Sequence, residues 1–331
     1  MNTPAKLDAS VLALDCAREA DAIAARMREI VGRDLRRRGV VVALSGGIDS
    51  SVCVALSVHA FGPEKVFVVL LPEHESSSFS LTRGKAVAAK CGVEPVVQNI
   101  SRALEGLGCY EARDAAIREV FPDYGPDWKS KLVIAGGVEG GMNYFKLVVQ
   151  SPDGGIREAR LPSKPYLQIV AAQNYKQRVR KTIEYFHADR LNYAVVGTPN
   201  RLEYDQGFFV KNGDGAADVK PIAHLYKTQV YALARHFDLP REVTEGRPTT
   251  DTYSLEQSQD EFYFALPYEK MDLALWALNH ELPPESLAAA IGVSVDQAKL
   301  VYRDIQAKRS TTRALHSKPL LVQPVAEVKP L

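Results

Sequence analysis

Ser45, Gly46, Gly47, Asp49, Ser50 and Ser51 lie in one uninterrupted run of the chain, Ser45-Gly46-Gly47-Ile48-Asp49-Ser50-Ser51. Their residue types suit one task, the holding of a polyphosphate. Glycines let backbone N–H groups come close to an anion, and the positive end of a following helix favours negative charge. The hydroxyls add further donors. A carboxylate inside such a nest repels the ligand unless a cation lies between them, so Asp49 points to Mg²⁺. No lysine follows the second glycine, which separates the run from the GxxxxGK[ST] loop. The plain alternative is an ordinary strand-to-helix turn.

The elements around the run must place it. The apolar, β-branched stretch Val41-Val42-Ala43-Leu44 leads in as a strand, and a helix runs from Asp49 to about Phe61. Lys65 to Leu71 is a continuous apolar run, as in a strand buried on both faces. A helix from Ser80 to Lys90 stops at Gly92, and Glu94 to Asn99 gives another strand. Strands alternating with helices predict an α/β fold with a doubly wound parallel sheet and right-handed crossovers. Ligands then bind at the strand C-terminal ends, where Ser45–Ser51 and Glu73–Ser78 both fall. His74 reads as an exposed loop histidine. Residues 8–38 read as one amphipathic helix, whose closing Arg36-Arg37-Arg38 is a solvated C-terminus.

Beyond a helical stretch at 101–121, the pattern breaks from Pro122 to Pro165. Ala135 to Gly141 is glycine-rich. Asn143–Val149 and Ile156–Leu161 flank an Asp-Gly turn and read as a β-hairpin, inserted into the βα alternation. It is either a flap with a role or a surface excursion. A helix over 166–188 puts Asn174 and Arg178 on one face, whereas Arg180 lies about 160° further round and points elsewhere. Leu191–Thr198 is a strand ending at the same rim. The segment Gly207 to Asp218, with Phe208, Lys211, Asp214 and Asp218, has little apolar periodicity and suits a loop wrapped around a polyanion.

The 331 residues are 46% hydrophobic and 24% charged, a globular composition with room for one large domain or two smaller ones. A net charge of +1 gives no electrostatic case for nucleic acid. Cys16, Cys53, Cys91 and Cys109 show no metal-ligand spacing, and Cys53 and Cys91 fall on apolar helical faces. A reducing cytoplasm fits them best. The N-terminus carries no signal-peptide pattern, and no apolar run approaches the ~20 residues of a membrane span.

Read together, these motifs resemble the N-type ATP pyrophosphatases, and within them the NAD synthetase family. The resemblance rests on Ser-Gly-Gly-Ile-Asp-Ser, then Asn174-x-x-x-Arg178-x-Arg180, Gly197-Thr198-x-Asn200-x-x-Glu203, Gly207-Phe208-Phe209-x-Lys211-x-Gly213-Asp214-Gly215-x-x-Asp218, and Pro221-Ile222-x-x-Leu225-x-Lys227. It spans about Val40 to Ala314, the hairpin apart. It implies a Rossmann-like fold of the adenine nucleotide alpha hydrolase type. It also implies ATP-dependent amidation of nicotinic acid adenine dinucleotide: an acyl-adenylate and pyrophosphate form, then ammonia displaces AMP to give NAD. By the same resemblance Ser45, Gly46, Gly47, Asp49, Ser50, Ser51, Arg178, Thr198, Lys227 and Thr249 contact ATP. Asp49 and Glu203 hold Mg²⁺. Asn174, Phe208, Lys211, Asp214 and Asp218 surround the dinucleotide. Lys227, Lys211 and Asp214 serve the chemistry, with Asp214 holding ammonium and taking its proton. A homodimer is implied in the same way.

Two features depart from that pattern. Leu255–Glu261 stands where the family has Asp-Gly-Gln-x-Asp-Glu, and the hairpin is extra. The chain carries no amidase domain with a cysteine nucleophile, so the expected nitrogen source is free ammonia or a separate glutaminase. Leu287 to Ala298 has helix-turn-helix spacing, but helices packed on the main domain are the expectation. The division expected is an N-terminal helix to 38, the catalytic domain over 39–265 with an insertion at 122–165, C-terminal helices over 266–322 and a tail over 323–331. The competing readings are an amide ligase for a different carboxylic acid, a non-catalytic nucleotide sensor, and a DNA-binding regulator.

Overall fold

The computed structural model describes residues 7–135, 144–246, 254–255, 263 and 266–328. A parallel sheet lies at its centre. Its strands β1 (Val40–Ala43), β2 (Val66–Leu70), β3 (Val96–Val97) and, further along the chain, β7 (Ala194–Val195) stand in the order β3-β2-β1-β7. Val40 pairs with Val66 on one side of β1 and with Ala194 on the other. Val40, Val41 and Val42 are fully buried because β1 is covered on both faces. Val40 and Val42 pack toward α1 (Cys16–Arg28), α2 (Ile48–Phe61) and α8 (Lys227–His236). Val41 packs the opposite way, against Cys109 of α5 (Cys109–Arg118) and Ala188 of α6 (Ser163–Leu191). The doubly wound α/β arrangement is present, and each buried valine contributes about 1.5–3 kcal/mol.

Several boundaries differ from the periodicity. The first long helix is interrupted. A 3-10 turn at Ala9–Leu12 is capped by Asp8, α1 starts afresh with Asp15 accepting from the Arg18 N–H, and the end widens into a π-helical turn at Glu29–Asp34. The stretch after β3 splits at Gly108, which adopts positive φ, into α4 (Ser101–Gly106) and α5. α3 (Ser78–Lys90) begins slightly earlier than expected. The edge strands β3 and β7 are shorter than their apolar runs.

The insertion holds more than a hairpin. β5 (Tyr144–Gln150) and β6 (Ile156–Arg160) pair antiparallel as expected, but β4 (Lys129–Ala135) adds a third strand. Leu132, Leu147, Val149 and Leu161 bury themselves against Ala116, Ile117 and Ile169, so this small sheet rests on α5 and α6. The glycine-rich residues 136–143 lie outside the described ones.

After β7 come α7 (Arg201–Gln206), α8 and α9 (Arg241–Thr244). Then α10 (Tyr268–Asn279), α11 (Pro284–Ile291) and α12 (Val295–Thr312) bury Leu275, Leu287, Ile291, Val301 and Ile305 in a core shared with Leu202 of α7. The apolar positions of the helix-turn-helix spacing, Leu287, Ile291 and Ala298, lie in this core. Residues 317–328 form no helix or strand. None of the described helices is long and apolar enough to cross a membrane.

Candidate active site

A cavity of about 620 Å³ opens at the C-terminal ends of β1, β2 and β7. Its wall includes Ser45, Gly46, Gly47, Asp49 and Ser50 from the first loop, Asn174 and Arg178 from α6, and Thr198 after β7. Glu203, Phe208, Lys211, Asp214 and Lys227 complete the set brought together.

The loop is laced to itself. The Ser50 hydroxyl donates to the Gly47 carbonyl at 3.0 Å, and the Gly47 N–H donates to Ser45 Oγ at 3.2 Å. Gly46 sits at φ +80°, and a Cβ there would collide with the Ser80 carbonyl. Only glycine lets the first turn of α3 press on the loop.

Asp49 stands at the start of α2 and forms an ion pair with the buried Lys227 of α8. Its other oxygen accepts from Asn200 Nδ2 at 3.0 Å. Asn200 opens α7 with a capping box, accepting from the Leu202 N–H while its own N–H donates to Glu203 at 3.2 Å. That cap fixes Glu203 toward Asp49. Burial, reinforced by the Asp49 charge, pushes the Glu203 carboxyl up to about 8. Burial alone would pull the Lys227 ammonium down, but Asp49 and Glu203 outweigh it and hold it above its usual value. Two half-buried carboxylates face one buried lysine, so their excess negative charge and hard oxygen donors fit a divalent cation. Among the described residues no cluster of three or more histidine, cysteine or acidic side chains exists that would hold a metal by itself.

Asp214 lies elsewhere on the cavity wall. Burial raises its carboxyl, opposed by the Val210 N–H that donates to it at 2.8 Å. Nearby, Lys181 pairs with Glu184 at 2.8 Å, both almost fully buried. Phe208 stacks on Tyr263 with centroids 4.5 Å apart, and Lys211 Nζ donates to the Ala314 carbonyl at 2.9 Å.

Three expected placements change. Ser51 does not line the cavity: it is fully buried, and its hydroxyl donates to the Gly47 carbonyl at 2.8 Å inside α2. Asp218 also lies off the wall, its carboxylate accepting from the Val195 N–H at 2.7 Å and from Tyr185. Arg180 does line the cavity, although helical projection turned it away. Its long side chain reaches back to the Leu71 carbonyl, with Nε at 3.3 Å, so both flanks of α6 border the space. Thr249 and residues 256–261 lie outside the described ones.

Other wall residues were not anticipated: Arg83, Phe145, Lys181 and Glu184. Asn200 was legible, since Asn three positions before Glu is a capping signal. Phe145, stacked on Tyr166 at 4.5 Å, brings the inserted sheet to the cavity.

The model of the family described as NAD synthase matches residues 20–118 and 141–313. The NH(3)-dependent NAD(+) synthetase of Rhizobium meliloti strain 1021 is 59% identical over 322 residues, 97% of this chain and 96% of that protein. Among solved structures, an NMN synthetase from Francisella tularensis superposes with TM-score 0.63 at 18% identity, covering 95% of this chain and all of that one. An NH3-dependent NAD synthetase from Campylobacter jejuni subsp. jejuni NCTC 11168 gives 0.60 at 20% identity, covering 94% of this chain and all of that one. The structural likenesses carry the fold, and the family match with the close relative carries the membership: the chain belongs to the NAD synthase family.

Proposed function

We propose that this chain amidates nicotinic acid adenine dinucleotide to NAD, using ATP and ammonia and releasing AMP and pyrophosphate. The observation that supports it best is that the Ser45–Ser50 loop, which carries Asp49, lines one cavity with Glu203 and Lys227. The loop N–H groups and hydroxyls hold the outer phosphates. Asp49 and Glu203 hold Mg²⁺, which when bound screens the triphosphate. Lys227, freed in part from Asp49, places its ammonium against the phosphates. Arg178, Thr198 and Thr249 hold the remainder of ATP.

Asn174, Phe208 and Lys211 position the dinucleotide so that its carboxylate oxygen meets the α-phosphorus. Gathering the partners removes much of the entropic barrier. Asp214 then holds ammonium and accepts its proton, because only neutral ammonia attacks the activated carbonyl. Its buried, raised carboxyl suits that exchange. Leu167, Tyr175 and Phe186 are exposed apolar side chains of α6 and support a homodimer. Cytoplasmic work with free ammonia, or with ammonia from a separate glutaminase, completes the reading.

Incubation with ATP, Mg²⁺, ammonium and the dinucleotide acid tests it. NAD formed together with AMP is the expected result. AMP formed only with another carboxylic acid would favour the other-acid ligase, which the inserted sheet at the wall through Phe145 motivates.

A further inference from the structure

We propose that Arg83 grips the outer phosphates of ATP and carries the charge of the departing pyrophosphate. The inference rests on the adenylating activity proposed above, and it assigns a residue to which no motif pointed. Arg83 lies on α3 and lines the cavity. α3 presses on the phosphate loop so closely that a Cβ at Gly46 would stand 3.1 Å from the Arg83 Cβ. From there the guanidinium runs along the wall to within 3.9 Å of the Cβ position of Gly246. It therefore spans the side of the cavity above the loop.

The other cations of the wall are engaged. Lys227 pairs with Asp49 and Lys181 with Glu184. Arg178 donates to the Lys211 carbonyl, Arg180 to the Leu71 carbonyl and Lys211 to the Ala314 carbonyl. Among the described cations lining the cavity, Arg83 alone has no hydrogen bond or ion pair.

Availability, more than total charge, singles it out. With Glu203 ionised, Asp49 and Glu203 cancel a divalent cation. Lys227 stays paired with Asp49, and Arg178, Arg180 and Lys211 keep their charges but are tethered to backbone carbonyls, so Arg83 is the described wall cation free to turn to a triphosphate. As the carboxylate oxygen bonds to the α-phosphorus, the bond to the bridging oxygen breaks. That oxygen keeps the electron pair, and negative charge grows on the leaving pyrophosphate. A planar guanidinium can donate to two phosphate oxygens at once, where an ammonium acts as a point charge.

Arg83→Gln and Arg83→Lys in the full chain test the assignment. Losing a charge-assisted contact should raise both the KM for ATP and the inhibition constant of pyrophosphate by about tenfold or more. The KM for the dinucleotide acid and the melting temperature should stay put, and Arg83→Lys should recover part of the loss. Unchanged pyrophosphate inhibition in Arg83→Gln would overturn the assignment, as would equal losses for both substrates with a lower melting temperature. If the native chain forms no NAD, the proposed function has failed, and calorimetric titration with Mg²⁺–pyrophosphate still decides about Arg83. Binding weakened about tenfold in Arg83→Gln supports its role, and equal or undetectable binding in both chains refutes it.

Discussion

Lys227 of α8 and Asp49 of α2 form an ion pair across the cavity floor, with the lysine side chain only 2% exposed. The pair joins the phosphate loop to a helix nearly two hundred residues away in sequence. Lys227→Met leaves Asp49 and Glu203 together without their cation. Breaking such a buried pair costs on the order of 3 kcal/mol, so the melting temperature should fall and Mg²⁺ should restore part of it. Catalytic efficiency should drop about a hundredfold or more through lost electrostatic stabilisation. Calorimetry with and without Mg²⁺, beside steady-state rates, checks both.

Glu203 supplies the pH dependence. Its carboxyl is pushed up to about 8 by burial and by Asp49. Below that pH it is protonated and a poor ligand, so Mg²⁺ affinity should strengthen from pH 6.5 to about 8 and then level off. The sign for stability is opposite. The metal-free fold binds this proton more tightly than the unfolded chain does. The contribution is complete below the ordinary glutamate range and lost as pH rises through about 8. Thermal melts of the metal-free protein between pH 6 and 9 should show that decline, and Glu203→Gln should remove it.

Asp214→Asn keeps an oxygen that can accept the Val210 N–H, so the loop should hold its shape. Loss of the proton acceptor should lower NAD formation by about a hundredfold or more. ATP–pyrophosphate exchange should persist, because adenylation precedes the attack by ammonia. Full activity at saturating ammonium would remove Asp214 from that role.

Lys176 is 1% exposed and pairs with Glu73 at 3.1 Å and with Glu75. The pair ties the loop after β2 to α6. Burial would raise the Glu73 carboxyl, but Lys176 and the Tyr110 hydroxyl overcome it and hold the group below its usual range. Lys176→Met should cost about 3–5 kcal/mol of stability. Adding Glu73→Gln should recover part of that, since the amide leaves less uncompensated charge. Denaturant melts of the single and double variants measure the difference.

The order of strands and helices was legible because β1 and β2 are continuous apolar runs and the glycine loop marks the turn between strand and helix. The site was legible where short motifs carry it: Ser45–Ser50, Asn174, Arg178, Glu203, Asp214 and Lys227 all reach one cavity. Differences in placement came from tertiary effects. Ser51 has the right type, but the turn of α2 points its hydroxyl at a carbonyl. Arg180 is long enough to bend back to a cavity that projection assigns to the other face. β4 escaped because its alternation is weak, and its pairing with β5 is a long-range matter. Arg83 lies in an unremarkable helix, and only the close packing of α3 on Gly46 brings it to the cavity wall.

The account turns on attack at the innermost phosphorus of ATP by a carboxylate oxygen. Supplying the dinucleotide acid with ¹⁸O in its nicotinate carboxyl, and following the products by phosphorus NMR or mass spectrometry, tests this directly. The expected result is one labelled oxygen in AMP for each NAD formed, with pyrophosphate unlabelled. Label in orthophosphate or pyrophosphate, or unlabelled AMP beside newly made NAD, would contradict it.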